Sequence, residues 1–180
     1  MTFEEKTMKS ERIYEGKIIN LRIDTVELPD KKYSKREIVE HPGAVGIVPI
    51  TDDGCMILVK QYRKSVEKFL LEIPAGKIEV NEEPKETGLR ELAEETGYKA
   101  NKMEYLFEFY TSPGFSNEKI YLFLATDLEE GEVKPESDEY IKVEKYKIEE
   151  LVDMVIRGEI NDGKTIVAIF YAQKYINKNA

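Results

Sequence analysis

Residues 76–82 read Gly76-Lys77-Ile78-Glu79-Val80-Asn81-Glu82, and after seven more residues the chain continues Arg90-Glu91-Leu92-Ala93-Glu94-Glu95-Thr96-Gly97-Tyr98. Pro84 suits the first turn of a helix and Gly97 the position just past its end, so the spacing predicts a helix over 84–96. At about 100° per residue, Glu91, Glu94 and Glu95 share one side of that helix, and Leu89, Leu92 and Ala93 lie opposite. One face then reads as core and the other as carboxylate. Gly88 inside the helix costs about 1 kcal/mol relative to Ala, and nothing in the sequence accounts for it beyond room for close packing. The acidic face fits an ordinary solvated surface. It also carries a penalty, because like charges three or four positions apart repel by a few tenths of a kcal/mol and the helix dipole disfavours anions near its C-terminal end. A divalent cation reverses both effects. Oxygen donors on one face suit Mg²⁺ or Mn²⁺, which neutralise phosphate charge and lower the pKa of a bound water.

Working outward, Ala44 to Ile50 and Cys55 to Lys60 are two strand-like apolar runs joined by Thr51-Asp52-Asp53-Gly54, where Asp-Gly signals a tight turn. Their near-continuous apolar character predicts a sheet covered on both faces. Upstream, Lys17 to Val26 and Ser34 to Glu40 flank the turn-like Pro29-Asp30-Lys31 and read as a hairpin, preceded by a flexible lead over residues 1–10. That hairpin is too small to bury a core and needs a partner surface. Downstream, Met103 to Tyr110, Lys119 to Thr126 and Tyr140 to Lys147 read as strands. Ile148 to Arg157 and Thr165 to Ile176 read as helices, the second with Asp162 as candidate N-cap. The pattern is a mixed α/β domain with one N-terminal appendage.

The 180 residues carry 27 basic and 36 acidic side chains, one His and one Cys. A lone cysteine excludes a disulfide framework within the chain and points to a reducing compartment. No apolar run approaches the ~20 residues needed to span a bilayer, and the first seventeen residues lack the apolar stretch of a secretory leader, so the expected location is cytoplasmic, with no membrane partner. The formal charge of −9 argues against general nucleic-acid binding. All of that excess falls in two windows, Glu82 to Glu95 and Glu129 to Glu150; the rest of the chain balances at 21 acids and 21 bases. His41 precedes a Pro-Gly turn and Cys55 opens an apolar strand, so neither is given a chemical role.

The stretch from Gly76 to Tyr98 resembles the Nudix box, G x5 E x7 R E U x E E x G U with U apolar or aromatic, and every fixed position matches. The resemblance implies a loop, helix, loop holding catalytic divalent metal, in an α/β/α sandwich around a mixed sheet. Carried over, Glu91 and Glu95 would be metal ligands and Glu94 a further ligand or catalytic support. Gly76 would free the backbone so that the Ala75 carbonyl also reaches the metal. Glu82 and Arg90 would orient the carboxylates.

The box implies hydrolysis of a diphosphate linked to some other group. Pro113 lies sixteen residues after Gly97, in Thr111-Ser112-Pro113-Gly114-Phe115-Ser116-Asn117-Glu118, and this loop resembles that of the ADP-ribose pyrophosphatase branch. That branch implies Pro113 and Gly114 shaping a substrate loop, Glu118 on the terminal ribose, and Arg63 and Arg36 on the substrate; a guanidinium fork suits phosphate oxygens. It also implies a loop carboxylate, from Glu136, Asp138 or Glu139, acting on the attacking water, and an N-terminal sheet exchanged within a homodimer. The implied division is residues 1–40 as the dimerising β piece and 41–180 as the hydrolase domain. The expected reaction is Mg²⁺-dependent cleavage of ADP-ribose, a small-molecule substrate, to AMP and ribose 5-phosphate. Other nucleoside diphosphate sugars such as GDP-mannose, or a non-catalytic ADP-ribose-binding regulator, are the alternatives.

Overall fold

The computed structural model describes residues 3–133 and 140–179. Among them the elements run β1 (Lys6–Glu15), β2 (Asn20–Glu27), β3 (Tyr33–Glu40), β4 (Ala44–Pro49), β5 (Cys55–Arg63), β6 (Lys68–Glu72), β7 (Ala75–Lys77), α1 (Pro84–Thr96), β8 (Lys99–Tyr110), β9 (Lys119–Glu129), β10 (Ile141–Lys147), α2 (Ile148–Ile156) and α3 (Gly163–Asn179). The chain divides into two compact units. One comprises the chain up to Gly43 together with Phe109–Lys119, and the other comprises Ala44–Glu108 and the chain from Ile120 onward.

In the first unit β1, β2 and β3 form an antiparallel sheet. The expected hairpin is β2 with β3, in register from Asn20 opposite Glu40 to Glu27 opposite Tyr33. The expected flexible lead over residues 1–10 is overturned from Lys6 on, where β1 begins. All ten of its residues are exposed, so no hydrophobic alternation marks it in the sequence. The segment 109–119 joins this unit through backbone bonds: the Val39 N–H donates to the Phe115 carbonyl at 2.8 Å and the Asn117 N–H to the Val39 carbonyl at 3.1 Å.

In the second unit β4 pairs parallel with β9 and antiparallel with β7, giving a mixed sheet in the order β7-β4-β9-β8; β10, β5 and β6 form a second sheet. The Asp52-Asp53-Gly54 turn therefore does not close a ladder. Beyond a single bridge between Ile50 and Met56, it passes the chain from one sheet to the other. Alternation along β4 and β9 covers both faces, as the apolar runs predict. Val45, Ile47, Phe123 and Ala125 pack with Leu92 of α1. Val48, Ile50, Leu122 and Leu124 pack with α2 and α3 through Leu151, Ala168, Ile169 and Ala172.

Gly88 is where α1 meets β4. A Cβ there would stand 3.2 Å from Cγ1 of Val45, so the glycine allows the helix to sit closely on the strand. The two-faced reading of α1 needs correction at two positions. Leu89 is exposed, whereas Glu95, expected on the wet face, is only 2% exposed.

Candidate active site

The sequence from Pro84 to Gly97 folds α1 with Pro at its first position and with Gly97 at φ 76°, whose N–H donates to the Ala93 carbonyl. This ending is available because glycine carries no Cβ penalty in the left-handed region. On the turn before it, Arg90 gathers three acids. Its Nε and Nη2 donate to the two oxygens of Glu82 at 2.9 and 3.0 Å. Its Nη1 donates to Glu91 at 2.8 Å and Glu94 at 2.9 Å. The Arg90 guanidinium pulls the Glu82 carboxyl down to about 2, and the hydrogen bonds to Glu82 in turn push Arg90 up.

The fourth acid turns the other way. Glu95 accepts from the Ala75 N–H at 2.9 Å, which ties α1 to β7. Ile47 N–H donates to the Pro74 carbonyl at 2.9 Å, and Ala75 lies opposite Gly46, so the loop backbone is fixed on both sides. Gly76 serves this approach sterically. A Cβ at Gly76 would lie 1.9 Å from the carboxyl carbon of Glu91, and its φ is outside the left-handed region. Beside the expected role of freeing the Ala75 carbonyl, Gly76 thus has a steric one: it leaves room for the Glu91 carboxylate where it stands.

Among the described residues no three Asp, Glu, His or Cys side chains converge on one point. Glu91 and Glu94 are drawn to Arg90, and Glu95 to the Ala75 amide. The donor set nonetheless fits a hard cation. Glu91 and Glu95 both reach the Ala75–Gly76 backbone, every donor is oxygen, and the space that a Cβ would fill holds a carboxylate.

Arg63 ends β5, where its Nε and Nη2 donate to Glu72 at 2.7 and 2.8 Å. Glu72 is 1% exposed and also accepts from Lys164 of α3. Burial alone would raise the Glu72 carboxyl, yet the Arg63 hydrogen bonds and the Lys164 charge outweigh it and hold the group below the ordinary glutamate range. Sequence reading missed Glu72 and Lys164. The available signal was an acid closing the apolar run Phe69-Leu70-Leu71-Glu72-Ile73.

In the first unit Arg36 donates to Glu5 at 2.9 Å through Nε and to Ser34 at 2.9 Å through Nη1. Glu118 accepts from the Thr111 hydroxyl at 2.6 Å and lies 3.7 Å from Nδ1 of His41. Pro113 and Gly114 sit in a turn closed by the Phe115 N–H donating to Ser112 at 3.1 Å. Gly114 has open space around it and no left-handed φ. Glu136, Asp138 and Glu139 lie outside the described residues.

The NUDIX domain family matches residues 40–168, and the family described as nucleoside diphosphate sugar hydrolase N-terminal domain matches residues 5–39. The ADP-ribose pyrophosphatase of Bacillus subtilis (strain 168) is 49% identical across 96% of this chain and 94% of its own. The methanol dehydrogenase activator of Bacillus methanolicus is 46% identical across 95% and 94%. A crystal structure of an ADP compounds hydrolase shares the fold with a TM-score of 0.86, covering 98% of this chain and 96% of that one at 21% identity. With the family's domain matched across most of its length and the signature occupied at every fixed position, this chain belongs to the Nudix hydrolase family.

Proposed function

We propose that this protein hydrolyses the diphosphate of ADP-ribose to AMP and ribose 5-phosphate, using Mg²⁺, with Mn²⁺ as a substitute. The observation that carries the reading is the 49% identity, over nearly the whole chain, to a protein named for that activity, on a site whose box is intact. A divalent cation, when bound, supplies charge neutralisation on the phosphates and a water of lowered pKa. Glu91, Glu95 and the Ala75 carbonyl are its proposed holders, with Glu94 as a further ligand. Arg90, itself held by Glu82, keeps Glu91 and Glu94 aimed, since its Nη1 donates to both; Glu95 is aimed instead by the Ala75 amide. Arg63 offers the Nη1 edge that Glu72 does not use to a phosphate oxygen.

Arg36, Pro113, Gly114 and Glu118 are the remaining proposed substrate contacts, Glu118 on the terminal ribose. A carboxylate among Glu136, Asp138 and Glu139 is proposed to orient or deprotonate the water that attacks phosphorus as the P–O bond to the leaving phosphate breaks. A homodimer through the N-terminal sheet is supported by its exposed apolar side chains, Met8, Ile13, Tyr14 and Tyr33 among them. The single, buried Cys55 supports a cytoplasmic location.

A second reading, the non-catalytic ADP-ribose-binding regulator, draws on the 46% identity to a protein named methanol dehydrogenase activator. Incubation with Mg²⁺ and a panel of ADP-ribose, GDP-mannose, UDP-glucose, dinucleotide polyphosphates and 8-oxo-dGTP separates the possibilities. Preferred turnover of ADP-ribose supports the proposal. Preferred turnover of GDP-mannose overturns the substrate, and no turnover of any overturns the enzyme.

A further inference from the structure

The N-terminus of α3 carries an ionic cluster to which the proposed reaction assigns no role. Glu72, Asp162, Lys164 and Thr165 join two elements 92 residues apart in sequence. Lys164 donates to Glu72 and, at 3.0 Å, to Oδ2 of Asp162. The same Asp162 oxygen accepts from the Thr165 N–H at 3.1 Å and the Thr165 hydroxyl at 2.6 Å. Thr165 Oγ1 in turn accepts from the Ile73 N–H at 2.9 Å. Every link is buried or nearly so: Thr165 is 0% exposed, Glu72 1%, and the side chains of Lys164 and Asp162 are 13% and 18% exposed.

A buried carboxylate with one cationic partner is held on one side only, whereas Glu72 is held on two. Lys164 pins the Oε2 that also accepts from Nη2 of Arg63, so the plane of the carboxylate is set from α3. A guanidinium bound side-on through Nε and Nη2 has its own plane set in turn. The Nη1 edge of Arg63 makes no hydrogen bond among the described residues, and the side chain is 38% exposed. We propose that Lys164, anchored by Asp162, is a positioning residue that acts through Glu72 to aim the free edge of Arg63 at the substrate diphosphate. The proposal rests on the reading of Arg63 as a phosphate contact.

The test is a double-mutant cycle on the full chain with ADP-ribose and Mg²⁺, measuring KM and kcat for Lys164→Met, Arg63→Ala and the pair, with Lys164→Arg as the conservative variant. Lys164→Met is expected to raise KM about 10-fold or more with a smaller change in kcat, and Lys164→Arg to recover most of it. In the Arg63→Ala background Lys164→Met is expected to add less than about 2-fold, because its target is gone. An undiminished effect in that background, or an unchanged KM in Lys164→Met beside an impaired Arg63→Ala, overturns the relay alone. An unimpaired Arg63→Ala overturns the phosphate contact and the relay with it. Should Lys164→Met fail to fold, Asp162→Asn, which loosens the lysine and keeps a capping oxygen, takes its place in the same cycle with the same expected coupling.

Discussion

A methyl group on Gly76 would stand 1.9 Å from the carboxyl carbon of Glu91. The loop and the helix of the box thus meet at this contact as well as at the Ala75–Glu95 hydrogen bond, and here a carboxylate occupies the volume of a missing side chain. The first glycine of the signature and its first paired acid are one structural unit.

Gly76→Ala should therefore displace Glu91 and leave the fold standing, since the far end of a flexible side chain can move aside. The expected result is a fall in activity of about 100-fold or more, at the upper end of what losing a supporting partner of a metal ligand costs. Thermal melting should shift by only a few degrees, corresponding to ~1 kcal/mol or less. Activity within a few-fold of wild type would show that the Glu91 position is not needed.

Arg90→Met removes a cation that Glu82, Glu91 and Glu94 share. Loss of these charged hydrogen bonds should cost about 1–3 kcal/mol in denaturant unfolding. The Mg²⁺ concentration giving half-maximal activity should rise by about 10-fold or more. An unchanged Mg²⁺ requirement would mean that Arg90 serves stability only.

Acid titration reads the same cluster. Glu82 is held at about 2 against an ordinary value of 4.5, chiefly by its hydrogen bonds with Arg90. A lowered folded-state pKa stabilises above the unfolded value and is lost as pH falls through the folded one. The melting-temperature difference between wild type and Glu82→Gln should therefore be flat above about pH 5 and shrink from 4.5 toward 2. A difference that is constant over that range would contradict the assignment.

Gly97 ends α1 at φ 76°, and a Cβ there would meet the Gly131 carbonyl oxygen at 2.9 Å. Gly97→Ala should cost at least about 1–2 kcal/mol from the backbone alone, with the steric contact added. Chemical denaturation measures it; a neutral outcome would contradict the close approach to Gly131.

Local rules made α1 legible, because Pro84, Gly97 and the acid spacing all act within one helix. The role of Gly88 emerged only from the Val45 methyl it faces across β4. Strand β1 was invisible because its exposed residues carry no period, and β7 because three residues cannot show one. The Asp-Gly turn between β4 and β5 was legible, but turn chemistry fixes a reversal and not which sheet each arm joins. In the site, the box acids were legible as a motif, whereas the burial of Glu95 depends on the Ala75 amide twenty residues away. Glu72 and Lys164 lie 92 residues apart, beyond any local pattern.

The most direct test is AMP release from ADP-ribose with Mg²⁺ by wild type and by Glu95→Gln, with melting curves of both. Glutamine keeps an acceptor for the Ala75 N–H but lacks the charge to hold a divalent cation. The account predicts AMP and ribose 5-phosphate from the wild type and, from a variant that melts normally, a loss greater than the ~100-fold that removal of a merely supporting group produces. Comparable AMP release by both proteins would contradict it.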